Sequence, residues 1–333
     1  MMKVTVEANA NIALTKYWGK KDDKLKTPWN SSTSVTLEGL ETTTTVEFDP
    51  SYERDIFFLD GKEFTEPTGE YKEVKEQLDI IRQRAKMNLF AKVSSRNDFP
   101  TAAGFASSAS GLAALTFAAA KAAGLNLGTK ELSKISRMGS GSASRSLIDG
   151  FAIWHRGERT DGEDSFAEQI ASKDYWPEFR ILGCVISKDA KKIKSRAGMA
   201  QSVKTSPIFE QWYKHAELDA QKMVRLIKDK NIEELGKVAQ HNSLLMHSCA
   251  MTTLPPIIYW APGTLEVIHK VLELQDSGVK SYFTIDGGPQ VKIICLKKEV
   301  TTIKNALKEL ELIQDIIDCK PGPGPRIVNK HLF

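Results

Sequence analysis

The chain has 333 residues, of which 41% are apolar and 26% charged. That composition excludes a disordered chain, and the length allows two domains, or one large one, with a sizeable core. A formal net charge of +4 excludes a nucleic-acid polycation while leaving room for a local basic pocket that takes acidic small molecules.

The amino-terminal KVTVEA alternates in polarity and reads as a strand. STSVTL and TTTTVEF, separated by GLE, read as two antiparallel strands. DIFFLDG followed by KEF reads as a hairpin turning at Asp60-Gly61. Tyr71 to Ala85 has helical periodicity, and Leu89 to Ser94 is a further strand. A buried helix then follows FPTAAGFASSAS, with another across Lys130 to Ser136 and strands at 151–157 and 179–187. Ala102 to Leu125 is too interrupted by serines, glycines and Lys121 for a membrane span.

From about residue 206 the texture changes. Ile208–Lys228, Ile232–Met246 and Leu265–Gln275 are helical, SYFTID and QVKIICL are strands, and Val300–Leu310 and IQDIIDC add a helix and a strand. No regular βαβ spacing appears, so the expected class is α+β with two domains, 1–187 and 188–333. Cys184, Cys249, Cys295 and Cys319 form no CxxC and read as reduced core residues of a cytoplasmic protein. The first residues lack the basic start and long apolar run of a signal peptide.

Two segments have the parts of a phosphate cradle. In NDFPTAAGFASSAS, Pro100 fixes the entry and Gly104 lets backbone approach closely. Ser107, Ser108 and Ser110 supply hydroxyls beside the free N–H groups of a helix start. It is not a Walker A loop, because no GxxxxGK[ST] is present. A tightly packed helix start is the alternative reading. RMGSGSASRS sets Ser140, Gly141, Ser142 and Ser144 around a turn with Arg145, which makes paired hydrogen bonds to phosphate or carboxylate; a Gly/Ser loop with a surface arginine also fits.

KYWGKK puts Lys16 and Lys20 four apart, about one turn if the segment is helical. KKIKSR, residues 191–196, is a basic run at the domain boundary that reads first as a solvated linker, and it lacks the aromatic interleaving of a nucleic-acid surface. Asp286 closes an apolar strand before Gly287-Gly288-Pro289 and reads either as a turn residue or as a base toward a hydroxyl. The six histidines show no HExxH and no clustered ligand spacing, so no protein-built metal centre is expected, and His247 reads as a helix residue.

Taken together, NIALTKYWGKKDDKLKTPWNSSTSVTL, FPTAAGFASSASGLAAL, MGSGSASRSLIDGF, MHSCAMTTLPP and YFTIDGGPQVKI, in this order, resemble the mevalonate diphosphate decarboxylases of the GHMP kinase superfamily. The resemblance runs from about Ala8 to past Val291. It implies a ribosomal-protein-S5-like N-terminal domain, a ferredoxin-like C-terminal domain and a homodimer. It also implies an enzyme that converts mevalonate 5-diphosphate and ATP, with Mg²⁺, to isopentenyl diphosphate, CO₂, ADP and phosphate.

By the same resemblance, Asp286 activates the 3-hydroxyl with Lys16 nearby, and Arg145 binds the substrate carboxylate or diphosphate. Tyr17, Lys20, Ser140, Gly141, Ser142, Ser195 and Arg196 hold the 5-diphosphate. Pro100 to Ser108, including Ala103, Gly104 and Ala106, cradle the ATP phosphates, with Ser107 and Ser108 as the main contacts and Asn97 near the nucleotide. Mg²⁺ is held mainly by phosphates. Four positions depart from the family pattern: Gly287 and Gln290, in Asp-Gly-Gly-Pro-Gln at 286–290 in place of Asp-Ala-Gly-Pro-Asn, Ala197 where tyrosine is common, and Trp29 at a usually smaller apolar position. These leave open a decarboxylase of mevalonate 5-phosphate, or of mevalonate 3,5-bisphosphate without ATP. A GHMP small-molecule kinase and a non-catalytic phosphate-binding protein are the remaining alternatives.

Overall fold

A computed structural model describes residues 2–66, 68–99, 107–187, 189 and 192–333. Its architecture is α+β, with two sheets among the described residues. In β1 (Val4–Ala13), Val4, Val6 and Ala8 alternate into the core under the first helices, and beyond a register shift at Asn9–Asn11 Ala10 and Ile12 enter a second core.

The two strands expected from STSVTL and TTTTVEF are one strand, β2 (Ser32–Phe48). It passes through Gly39, whose φ of +89° needs no Cβ. The partner strand shifts register between Asn9 and Asn11, so the sheet bends without breaking. Below the bend β2 pairs with β6 (Phe151–Trp154), and above it with β5 (Ala91–Asn97). The expected hairpin is β3 (Ile56–Leu59) and β4 (Lys62–Phe64). Asp60 and Gly61 both have positive φ, the geometry of a type I′ turn. The short polar edge strand β7 (Ala167–Ala171) pairs with β6 and had no strong alternation to announce it.

One face of this sheet is covered by α1 (Gly69–Ala85), α2 (Ser107–Ala122) and α3 (Thr129–Gly139). Alanines 113, 114, 118 and 119 in α2 are fully buried against Val6, Ala8 and Val46. Small side chains let that helix lie close to the strands.

The second sheet is antiparallel, in the order β11 (Asp315–Cys319), β8 (Phe179–Val185), β10 (Val291–Leu296), β9 (Ser281–Ile285). Two strands lie outside the expected 1–187 and 188–333 division. β8 hydrogen-bonds to β10 and β11 of the second sheet, and β12 (Arg326–Val328) returns to pair with β1. Neither pairing is written in local sequence, because a strand's partner is a non-local choice. Helices α7 (Pro262–Asp276) and α8 (Val300–Leu307) cover one face of this sheet. The antiparallel α5 (Phe209–Lys228) and α6 (Ile232–Met251) pack on the other side with β9.

The basic run at 191–196 is not wholly a linker. At Ser195 it turns into α4 (Ser195–Thr205). A single core of Ile12, Leu14, Val35, Phe179, Leu235 and Ile294, among others, joins the two sheets.

The RMGSGSASRS cradle is the end of α3 followed by a 3-10 helix, Gly141–Leu147. A Cβ on Gly141 would lie 2.5 Å from Trp154 Cη2 and 2.9 Å from Tyr17 Cε1. Gly141→Ala is therefore expected to cost about 1–3 kcal/mol through overpacking, measured as a lower urea midpoint. An unchanged midpoint would show that the Trp154 and Tyr17 rings move aside freely.

Candidate active site

The segment KYWG is not helical. After a bend at Leu14–Thr15 it runs without regular secondary structure to an isolated bridge between Lys20 and Pro28, so Lys16 and Lys20 do not share a helical turn. Each residue of the segment has its own destination. Lys16 reaches the second sheet. Tyr17 packs edge-on against Trp154, with centroids 4.8 Å apart. Trp18 joins the apolar cluster of Met199, Phe209 and Trp212 and donates to Ser202 Oγ at 2.8 Å. Gly19 has φ +116°, and a Cβ there would meet Phe209 at 2.6 Å. The Lys16 backbone is held by Asn30 Nδ2 donating to its carbonyl (2.9 Å) and by its own N–H donating to Asn242 Oδ1 (2.7 Å).

Asp286 stands at the end of β9, whose five residues are all buried. Its Oδ1 lies 2.7 Å from Lys16 Nζ and its Oδ2 3.5 Å from Lys292 Nζ. The two lysine side chains are 2% and 1% exposed, whereas the Asp286 side chain is 31% exposed. The carboxylate is thus the wet face of a dry cationic pair. Burial works to raise the Asp286 pKa, but attraction to Lys16 and Lys292 outweighs it and holds the carboxyl well below its usual range. Burial lowers the Lys16 pKa against the pull of Asp286.

Arg145, 3% exposed, completes the cluster. It donates to Ser32 Oγ at 2.6 Å and to Asn11 Oδ1 at 3.3 Å. Among the described residues it has no ion-pair partner. Burial brings its pKa down to about 10, against the influence of Asp286 and Tyr17, so it stays cationic at neutral pH. Three buried cations face one carboxylate, and a desolvated excess of positive charge is relieved by binding an anion. Among the described residues the buried Tyr17 hydroxyl also has no hydrogen-bond partner. Burial raises its pKa and keeps it a neutral donor.

The rest of the expected site falls around this cluster. Ser140 and Ser142 bring their hydroxyls within 3.3 Å of each other beside Gly141. Gly139, one residue earlier, abuts Leu112 of α2 and Gln77 of α1, so the end of α3 meets the first turns of α2. Ser195 begins α4 within reach of Gly287, where an added Cβ would lie 3.2 Å from Ser195 Oγ and 3.1 Å from Trp18 Cζ3. The family's alanine at 287 would press on both, which gives this departure a local steric meaning. Arg196 reaches back to α1 and α3, with Nη1 2.6 Å from Glu73 Oε1 and Nη2 donating to the Gly139 carbonyl at 2.7 Å. Lys20 lies at the rim, 3.4 Å from Asp23.

Of the nucleotide cradle, Pro100, Ala103, Gly104 and Ala106 lie outside the described residues, as does the Ser107 side chain. Ser108 is exposed in the first turn of α2. Thr42 donates to Asn97 Oδ1 and lies 2.7 Å from Ser110 Oγ, so Thr42 of β2 links Asn97 of β5 to the helix start.

Lys292 is the residue that motif reading missed. Its signal is a lone lysine in the otherwise apolar strand VKIICL. Asn11, Ser32 and Asn242 were missed as well, and short polar residues carry no comparable local signal. His247 lies buried in α6, where burial and Lys16 lower its pKa to about 3, so it is neutral at physiological pH. Gln290 is structural: its Oε1 accepts from the Ile186 N–H at 2.6 Å and ties β10 to β8. Trp29 packs on Tyr213, with centroids 4.9 Å apart.

Two family models match this chain. Residues 8–167 match the diphosphomevalonate decarboxylase-like N-terminal domain, and residues 181–321 match the mevalonate 5-diphosphate decarboxylase C-terminal domain. The chain belongs to the diphosphomevalonate decarboxylase family. It is 38% identical over 322 residues to the diphosphomevalonate decarboxylase of Ganoderma lucidum, covering 90% of this chain and 80% of that one. The fold is similar to mevalonate diphosphate decarboxylase from Staphylococcus aureus, with a TM-score of 0.92, 37% identity and 98% of each chain covered. It is equally similar to MDDEF solved in complex with MVAPP, AMPPCP and magnesium, at a TM-score of 0.92, 40% identity and 99% of each chain. These are GHMP-fold enzymes of two domains, and the two-sheet α+β architecture agrees with them.

Replacing Lys292 by methionine is expected to raise the Asp286 pKa, read by carboxyl ¹³C titration. The sign follows from linkage. A carboxyl depressed in the folded state contributes stability above its unfolded pKa of about 4, and that contribution is lost as pH falls through the folded value. The variant should therefore also lose less stability on acidification; identical titrations would remove Lys292 from the cluster.

Proposed function

We infer that this chain catalyses the ATP-dependent decarboxylation of mevalonate 5-diphosphate, giving isopentenyl diphosphate, CO₂, ADP and phosphate. The observation that carries the reading is the single carboxylate held ionised by two buried lysines, next to a buried arginine that has no ion-pair partner among the described residues. Family membership supports it, and a related structure at 40% identity contains MVAPP, AMPPCP and magnesium.

In this reading Asp286 orients the tertiary 3-hydroxyl and accepts its proton as the γ-phosphoryl group arrives. A carboxylate with a depressed pKa is a weak base, but phosphoryl transfer through a loose transition state asks little of the base and much of positioning. Lys16 and Lys292 fix the carboxylate and keep it charged. Arg145, Tyr17 and the Ser140–Ser142 turn bind the substrate's anionic groups, with Ser195, Arg196 and Lys20 at the far end. The C1–C2 bonding pair then becomes the new double bond as CO₂ departs, and the C3–O pair leaves with phosphate. Neighbouring anions and the partly dry pocket stabilise positive charge developing at C3.

ATP is the co-substrate, cradled by the residues before and at the start of α2, with Asn97 nearby. Mg²⁺ fits the donor chemistry: both Asp286 oxygens are turned to lysines, leaving phosphates and serine hydroxyls such as the exposed Ser108 as hard oxygen ligands. When bound, that cation neutralises charge on the phosphate chain.

The test assays mevalonate 5-phosphate, 5-diphosphate and 3,5-bisphosphate with and without MgATP, following CO₂ and ADP. CO₂ is expected from the 5-diphosphate with ATP. ADP without CO₂ indicates a kinase, and CO₂ from the bisphosphate without ATP indicates the other decarboxylase. Asp286→Asn should retain ligand binding and lose about 10²–10⁴-fold in turnover; near-normal turnover removes Asp286 from the chemistry.

We further propose a cytoplasmic homodimer, as the family resemblance implies; the four buried cysteines are free, which agrees with a reducing compartment and says nothing of the oligomeric state. No helix of the described residues is long and apolar enough to cross a membrane. Sedimentation equilibrium at twice the 37.0 kDa chain mass, with recovery in the cytosolic fraction, is the expected result.

A further inference from the structure

The antiparallel pair α5 and α6 brings three ligand-type side chains together. His215 and Asp219 are four apart on α5 and share one face of that helix. His241 comes from α6, which returns antiparallel after a short connection. One donor atom from each of the three lies within 4.8 Å of the others. The histidines are exposed and Asp219 is buried. His215 Nε2 is 3.5 Å from Asp219 Oδ1, and the two imidazoles meet edge-on with centroids 5.3 Å apart.

We propose that His215, Asp219 and His241 form a binding site for a borderline divalent transition cation of the zinc class. A tetrahedral ion with bonds of about 2.0–2.1 Å has ligand–ligand edges of roughly 3.4 Å. The His215–Asp219 pair already has that separation, and rotation of two exposed imidazoles closes the rest. Two nitrogen donors and one carboxylate select zinc, cobalt, nickel or copper over magnesium and calcium, which prefer oxygen. The fourth position faces solvent and takes water.

The carboxylate is also supported from behind. Asn242 Nδ2 donates to Asp219 Oδ2 at 2.8 Å, leaving Oδ1 directed at His215. This is the outer support that orients metal-binding carboxylates. The neighbouring lysines do not compete for the carboxylate, since Lys222 pairs with Glu234 and Lys237 with Glu233. The cluster departs from the expectation of no protein-built metal centre, because packing of two helices assembles it rather than spacing along the chain. It is distinct from the site of Asp286, although the Asn242 that holds Asp219 also accepts the Lys16 N–H.

The experiment titrates metal-free, nucleotide-free protein with Co²⁺, following visible absorption, and with Zn²⁺ by calorimetry. One equivalent is expected per chain, with the intense visible bands of a tetrahedral cobalt site. His215→Gln and His241→Gln should each weaken binding at least ~10-fold. His155→Gln, at the exposed His155–Glu168 pair, should bind like the parent. Circular dichroism checks that each variant is folded. Absence of saturable binding at micromolar metal overturns the proposal, as does a His215→Gln/His241→Gln double variant that binds like the parent. A loss confined to one histidine overturns the three-ligand assignment.

Discussion

The contact between Lys16 and Asp286 spans 270 residues of sequence and joins the two sheets of the molecule. Lys16 is delivered by the irregular segment after β1, while Asp286 and Lys292 come from the edges of the β9–β10 connection. Neither lysine can be left buried and charged without an anion nearby, and the carboxylate is that anion. The pair therefore depends on the relative placement of the two units. The shared core of Ile12, Val35, Phe179, Leu235 and Ile294 fixes that placement.

A site for highly charged molecules needs desolvated positive charge and open space together, and these make opposite demands on packing. Cations come from buried elements, where low dielectric strengthens their attraction for anions. Space comes from small residues at the turns. Gly141 lets Tyr17 and Trp154 close over the 3-10 helix, and Gly287 clears Trp18 and Ser195 beside Asp286. The alanines of α2 let a helix start approach the sheet. Among the described residues, the Tyr17 hydroxyl has no hydrogen-bond partner and the Arg145 guanidinium is held by the neutral Ser32 and Asn11 rather than by an acid that would compete with a substrate.

Much of the fold was legible. Alternation gave β1 and the β3–β4 hairpin, and helical periodicity gave α1, α5, α6 and α7 to within a few residues at most ends. The misreadings have physical causes. β2 appeared as two strands because Gly39 interrupts the alternation, yet a glycine can bend a strand without ending it. α4 was hidden because SRAGMAQSVKT has weak amphipathicity and follows a basic run. β8 is a strand by sequence, but its partners are chosen by the rest of the molecule, and the three-residue β12 after the Pro/Gly turn is too short to carry an alternation of its own.

By itself the sequence determined the chemistry available: a strand ending in Asp286, a Ser/Gly turn before Arg145, a serine-rich helix start and the KYWG segment. Side-chain type and local periodicity carry that information without reference to anything distant. Only the tertiary structure decided that Lys292 is the second cation on Asp286, that Arg145 is buried and held by Ser32 and Asn11, and that His215 and Asp219 meet His241. Each of these is a long-range proximity, set by which strands pair and which helix faces pack, and burial converts such proximities into shifted charge states and binding sites.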